Sequence, residues 1–232
     1  MIEPGYYQLN FGGMTLNELL RLGGVWNFPG AIIFKLSSRK VKNYNWQPQL
    51  LKESECDFSA FGKDVQLDLA SRSTFLIDKG FEHISYHGIH PKAILKESSP
   101  NGGAVYLFRK DIVAAIITLT TQMVNHPQIV IKRKLTAFVS RDASGKNFIS
   151  TSNQKKKMDE LPCIKDHVLS TDDVQMIFDY HVERISKLIS GIREFASGKE
   201  AIGIFDALSY ETAEWRIKRK MYVYAGKTVK TD

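Results

Sequence analysis

Nothing in the chain restricts its fold more than the alternation across residues 130–139 and the turn that follows it. Successive side chains of a strand face opposite ways. Lys132, Lys134, Thr136 and Phe138 therefore share one face, and Ile131, Arg133, Leu135 and Ala137 the other. Asp142-Ala143-Ser144-Gly145-Lys146 is turn chemistry, and residues 147–151 return as a second strand. Together they predict a β-hairpin with one basic face.

A second long pattern opens at Ser170-Thr171-Asp172-Asp173, where Ser170 or Thr171 suits an N-cap and the aspartates suit a helix's positive end. Val174, Ile177, Phe178, His181, Ile185, Leu188, Ile189 and Ile192 continue it as an apolar stripe, predicting an amphipathic helix over 171–197. Nearer the start, Thr15 and Glu18 have capping-box spacing, and Gly23-Gly24 closes a short helix. Residues 31–36, 65–69, 73–77 and 104–108 read as strands. Residues 111–124 read as a helix, with Ile112, Ala115, Ile116, Leu119 and Met123 on one face. The end reads as an apolar segment over 201–208, a helix over 210–220 and a short strand over 222–224.

These elements predict an α+β fold: a mixed or antiparallel sheet, a basic β-hairpin, and a long C-terminal amphipathic helix packed on the sheet. The 232 residues, 43% of them hydrophobic, suffice for one globular domain over 1–232. Ser98-Ser99-Pro100-Asn101-Gly102-Gly103 is the clearest loop, so a subdivision would fall near 98–103. Residues 152–160 read as a flexible basic linker.

The net charge of +7 is concentrated rather than spread. Residues 129–157 carry Lys132, Arg133, Lys134, Arg141, Lys146, Lys155, Lys156 and Lys157 against Asp142 alone. Residues 215–230 carry Arg216, Lys218, Arg219, Lys220, Lys227 and Lys230 with no acid. The rest of the chain is net acidic. Two basic segments on an acidic body point to a polyanion partner, nucleic acid first, with acidic lipid headgroups or an acidic protein as alternatives. Phe138 and Trp215 are the rings placed to stack on bases beside those charges. The competing reading makes the lysines guards of an exposed sheet edge and the rings core.

No cofactor is read from the sequence. It has no phosphate-binding Gly-rich loop, no Gly-x-Ser-x-Gly and no His-Glu-x-x-His. His83, His87 and His90 cluster, and Cys163 and His167 form a second pair if their region is helical, but no standard zinc spacing appears and no metal is assigned. A metal-dependent nuclease would use Asp57, Asp64 and Asp68 with Lys63 nearby. Tyr86-His87-Gly88 resembles the strand-borne His-Gly of the PARP-like ADP-ribosyltransferases. That resemblance implies His87 on a ribose, Tyr106 on nicotinamide and Glu214 as the polarising acid. The sequence departs from the family at Ile89, where it has Thr or Ser, and in a short first interval.

The favoured expectation is a non-catalytic nucleic-acid-binding accessory protein, of the kind viruses and mobile elements encode. A nucleotide- or nucleic-acid-modifying enzyme is the alternative. Self-assembly into a homo-oligomer through the helix's apolar stripe is the third. With only Cys56 and Cys163, no basic-then-apolar leader and no run of roughly 20 apolar residues, the chain reads as cytoplasmic, reduced and without a transmembrane segment.

Overall fold

The computed structural model describes residues 2, 6–23, 33, 35, 36, 40–46, 51–89, 102–123, 126–154 and 158–226. In chain order the elements are β1 (Tyr6–Asn10), α1 (Leu16–Gly23), β2 (Lys40–Trp46), α2 (Lys63–Asp78), β3 (Glu82–Ile89), β4 (Gly102–Arg109), β5 (Ile112–Met123), β6 (His126–Asp142) and β7 (Phe148–Ser152). They continue with β8 (Ile164–Val168), α3 (Val174–Ser186), β9 (Ile192–Arg193), α4 (Gly198–Lys218) and β10 (Tyr222–Gly226). The main sheet runs β3-β4-β5-β6-β7-β8, with β9 pairing β6. Its pairs are antiparallel except the parallel β7–β8. A smaller sheet has the order β10-β1-β2. The fold is α+β, as the sequence predicts.

Strand alternation builds two layers of packing. From β4, Val105 and Leu107 face α2 and α3, where they meet Leu69, Leu76, Ile177 and Phe178. Ala104 and Tyr106 face the other way, toward Ile202 and Phe205 of α4. Each large side chain so buried stabilises the fold by about 1.5–3 kcal/mol. Farther along α4, Ala213 and Ile217 join Tyr7, Leu9, Met14 and Met221 in the core of the small sheet. Gly13 is required there, because a Cβ would stand 2.2 Å from the Lys220 carbonyl carbon.

Double-sided burial explains why 112–123 is a strand and not the expected helix. Ile112, Ala114 and Ile116 belong to the α2–α3 core, and Val113 and Ala115 pack on the α4 side. A strand covered on both faces loses its polar alternation and imitates a helical stripe. The opposite error occurs at 65–69 and 73–77, which lie in α2. Its buried residues Val65, Leu69, Arg72, Ser73 and Leu76 follow helical spacing, and Leu67, which suggested alternation, is 71% exposed. Of 31–36, also read as strand, the described residues Ile33, Lys35 and Leu36 are helical.

The helix expected over 171–197 is α3, and it stops at Ser186. Asp173 caps it by accepting hydrogen bonds from the Gln175 and Met176 amides at 2.8 and 3.2 Å. Gly191, at φ +74°, turns the chain into β9. Ile189 consequently falls outside the stripe and is fully exposed. The apolar segment over 201–208 and the helix over 210–220 are one continuous helix, α4, capped by Ser197. The short α1 carries its predicted capping box: Glu18 N–H donates to Thr15 Oγ1 at 3.2 Å, and Thr15 N–H to Glu18 Oε2 at 2.7 Å. In the loop at 98–103, only Gly102 and Gly103 are among the described residues, and both lie in β4.

His181 in α3 is a satisfied core histidine. Ser140 gives its hydroxyl proton to the Asp111 carbonyl and stands 3.0 Å from His181 Nε2. Thr151 Oγ1 lies 3.0 Å from Nδ1 and accepts from Arg184 at 2.8 Å. Burial first, then the Arg184 charge, push the imidazole down to about 3. The ring is therefore neutral when folded, whereas in the unfolded chain it takes a proton below about pH 6.5. Stability should fall as pH drops from about 6.5 toward 3, by at most about 1.4 kcal/mol per pH unit from this group. Urea unfolding at pH 7 and pH 5 measures the slope. His181→Gln should flatten it, and an equal slope in that variant would assign it to other groups.

Candidate nucleic-acid interface

β5 and β6 are longer than their neighbours. Among the described residues, β4 pairs with β5 only as far as Leu119, and β7 pairs with β6 only from Ala137 onward. Between those limits Thr120 pairs with Lys132, Thr121 with Ile131, Gln122 with Val130 and Met123 with His126. Among the described residues, this stretch is a ribbon of two strands hydrogen-bonded only to each other. Leu119–Arg133 and Thr118–Lys134 form its root.

The location of the lysines corrects the expected basic hairpin. β6 and β7 do form a hairpin at the predicted turn, where Asp142 accepts from Ser144, Asn147 and the Lys146 amide. Lys132 and Lys134 sit on the far half of β6, opposite β5, and belong to the ribbon instead. Lys132, Arg133 and Lys134 are all exposed.

The two lysines meet acids of α2. Lys132 Nζ is 2.8 Å from Asp64 Oδ2, and Lys134 Nζ is 2.6 Å from Asp68 Oδ1. Asp68 also accepts from Arg72 at 2.5 Å and from the Thr118 hydroxyl at 2.5 Å. Burial tends to raise the Asp68 pKa, but its hydrogen bonds with Lys134 and Thr118 and the charge of Arg72 outweigh that and hold it low. Asp64 is also lowered, by its hydrogen bond and charge interaction with Lys132. Asp64, Asp68 and Arg72 are spaced i, i+4, i+8, one row of a helix. Reading 63–78 as a helix would have revealed that row. Of the acids considered for a nuclease, Asp64 and Asp68 are thus neutralised by cations, and among the described residues no three His, Cys, Asp or Glu side chains are placed to hold a metal.

Other expected contacts serve the interior. Phe138 is wholly buried, its ring 5.6 Å from Phe178 and 6.3 Å from Phe81, so no base can stack on it. Arg141 is buried, bound to Glu200 at 2.9 Å and lying over Phe195. Arg219 binds the buried Glu18 at 2.7 Å and covers Trp215, its guanidinium 4.5 Å from the ring centre. Arg216 donates to the Asp159 carbonyl at 3.2 Å and stands 3.9 Å from Glu160. Lys218 extends into solvent, 4.0 Å from Glu214. Lys220 is exposed, with its backbone in the left-handed region and its carbonyl accepting from Asn10 at 2.8 Å. Lys155, Lys156 and Lys157 lie outside the described residues. Next to them, Met158 and Asp159 are docked, on Tyr222 and Arg21 respectively, where a flexible linker was expected.

The ADP-ribosyltransferase-like residues are only partly brought together. His87 and Tyr106 meet edge to face at 5.1 Å on neighbouring strands. His87 is buried, with Ser54 Oγ 3.2 Å from Nδ1 and Ser85 Oγ 2.7 Å from Nε2. Burial, with the charge of Asp206, pushes the Tyr106 phenol up to about 12. Glu214 lies eight residues past Asp206 on α4, about 12 Å farther along the helix. His90 lies outside the described residues. His167 is on strand β8, stacked on Tyr180 at 4.8 Å, so its spacing from Cys163 is not helical. No helix among the described residues is long and apolar enough to cross a membrane. Compared with family models, curated proteins and solved structures, the chain matches none.

Proposed function

We propose that this protein binds nucleic acid through the β5–β6 ribbon, as an accessory protein without a catalytic step. The observation that carries the reading is three consecutive exposed cations, Lys132, Arg133 and Lys134, at the root of a ribbon that pairs, among the described residues, with no further strand. The C-terminal basic segment contributes less, because Arg216 and Arg219 are engaged with Glu160, Asp159 and Glu18 and are only 19% and 21% exposed. Lys132 and Lys134, though paired with Asp64 and Asp68, are 44% and 47% exposed. The reading sets the protein in a reducing compartment, with Cys56 and Cys163 as free thiols.

Each phosphate neutralised by a lysine or arginine releases counterions, so affinity should fall steeply with salt. Fluorescence anisotropy with labelled oligonucleotides across a salt series measures this. Changing Lys132, Arg133 and Lys134 together to Ala should weaken binding about 100-fold and lower the log–log salt slope by about 2–3. A thermal melt checks that the variant folds. Asp64 competes with phosphate for Lys132, so Asp64→Asn should tighten binding about two- to fivefold. Absence of wild-type binding at low salt, or binding indifferent to the triple change, refutes the reading.

A further inference from the structure

We infer that the outward face of α2 is a self-association surface, occupied by the same face of a second copy of this chain packed antiparallel. The stripe of α3 considered for self-assembly is spent on the core, where Val174, Ile177, Phe178, His181 and Ile185 are buried. On α2, by contrast, Lys63, Leu67, Ala70, Thr74 and Ile77 are all exposed. Their spacing alternates four and three residues, the seam of paired helices. Thr74 gives its hydroxyl proton to the Ala70 carbonyl at 2.9 Å, which spends its polarity within the helix. Asp78, also exposed, follows Ile77 and ends the helix.

Charge selects the occupant. Lys63 stands at the first position of α2 and Asp78 at the last, each at the helix end whose partial charge repels it. Neither is paired with an opposite charge among the described residues, whereas Asp64 and Asp68 are paired with Lys132 and Lys134. A two-fold axis passing between Ala70 and Thr74 sets Leu67 against Ile77 of the second copy and brings small side chains to the crossing. It also carries Lys63 of each copy to within about 4.5 Å, along the helix axis, of Asp78 of the other, inside the reach of a lysine stem. A parallel pair would oppose like charges at both ends. The face is thus complementary to itself, as a two-fold interface must be. With 16 residues α2 is about 24 Å long, and one such helix pair buries less than the roughly 1,600 Å² of a standard interface. The dimer is therefore weak, with a Kd on the order of 10–100 μM.

Sedimentation equilibrium at protein concentrations bracketing that Kd should show a reversible passage from the mass of one chain to the mass of two. Leu67→Glu should weaken association about 30-fold, because both copies lose an apolar contact and bury a charge. Lys63→Glu and Asp78→Lys should each weaken it about fivefold, and the two changes together should restore it. Both reversals suit the helix dipole, so neither endangers the fold, and a thermal melt of every variant checks this. A protein that stays monomeric at all concentrations, or a dimer indifferent to Leu67→Glu, overturns the inference. So does a double reversal that fails to restore the dimer, since only a second copy supplies both compensating charges. No nucleic acid enters these measurements, so their outcome is separate from that of the ribbon reading.

Discussion

Arg219→Ala should destabilise the protein by about 3 kcal/mol, whatever it does to ligand binding. Glu18 is 0% exposed, and its carboxylate accepts from the Thr15 and Asp159 amides and from Arg219. Burial pushes its pKa up, but these hydrogen bonds and the Arg219 charge leave it below the usual range. Removing the arginine strands a carboxylate in the small-sheet core and uncovers Trp215. Breaking a buried pair costs about 3–5 kcal/mol, and the 21% exposure of the Arg219 side chain sets the expectation at the low end. In a chain of this length that is a drop in melting temperature of roughly 6–12 °C. Lys218→Ala, one residue earlier and in solvent, should leave the melt within about 0.5 kcal/mol of wild type. Equal melts for the two variants would mean the Glu18 pair contributes nothing.

That contrast shows what the sequence could and could not disclose. Arg219 and Lys218 are indistinguishable as charges in a basic run. They differ only because α1 carries Glu18 to the end of α4, 201 residues away in the chain. The capping box at Thr15 was legible because its partners are three residues apart, and the Asp142 turn for the same reason. The second role of Glu18 depends on tertiary contact and has no local signature. The ribbon shows the same division. Alternation over 130–139 predicted the strand and the shared face of Lys132 and Lys134, yet the lysines pair across β5 and not β7. That partner was hidden because β5, buried on both faces, was read as a helix.

Arg72→Ala is expected to be the most damaging single change near the ribbon, at about 3–5 kcal/mol. Arg72 is buried and spans the helix and two strands, donating to Asp68, the Ile117 and Leu135 carbonyls and the Thr118 hydroxyl at 2.5–3.1 Å. Truncation leaves a cavity and removes the buried partner of Asp68. Arg72→Lys should recover little, since one ammonium cannot reproduce the planar fork that reaches α2, β5 and β6 together. The informative comparison is Arg72→Met with Asp68→Leu. Replacing both charges by apolar groups removes the desolvation cost with the attraction, so the double variant should be markedly more stable than Arg72→Ala, as urea unfolding would show. It also releases Lys134 from Asp68, leaving an exposed ammonium to meet phosphate. On the proposed function, a double variant that folds should therefore bind nucleic acid more tightly than wild type. If it folds and binds more weakly, Asp68 aligns Lys134 for the ligand instead of competing with it, and the network under the ribbon is part of the interface.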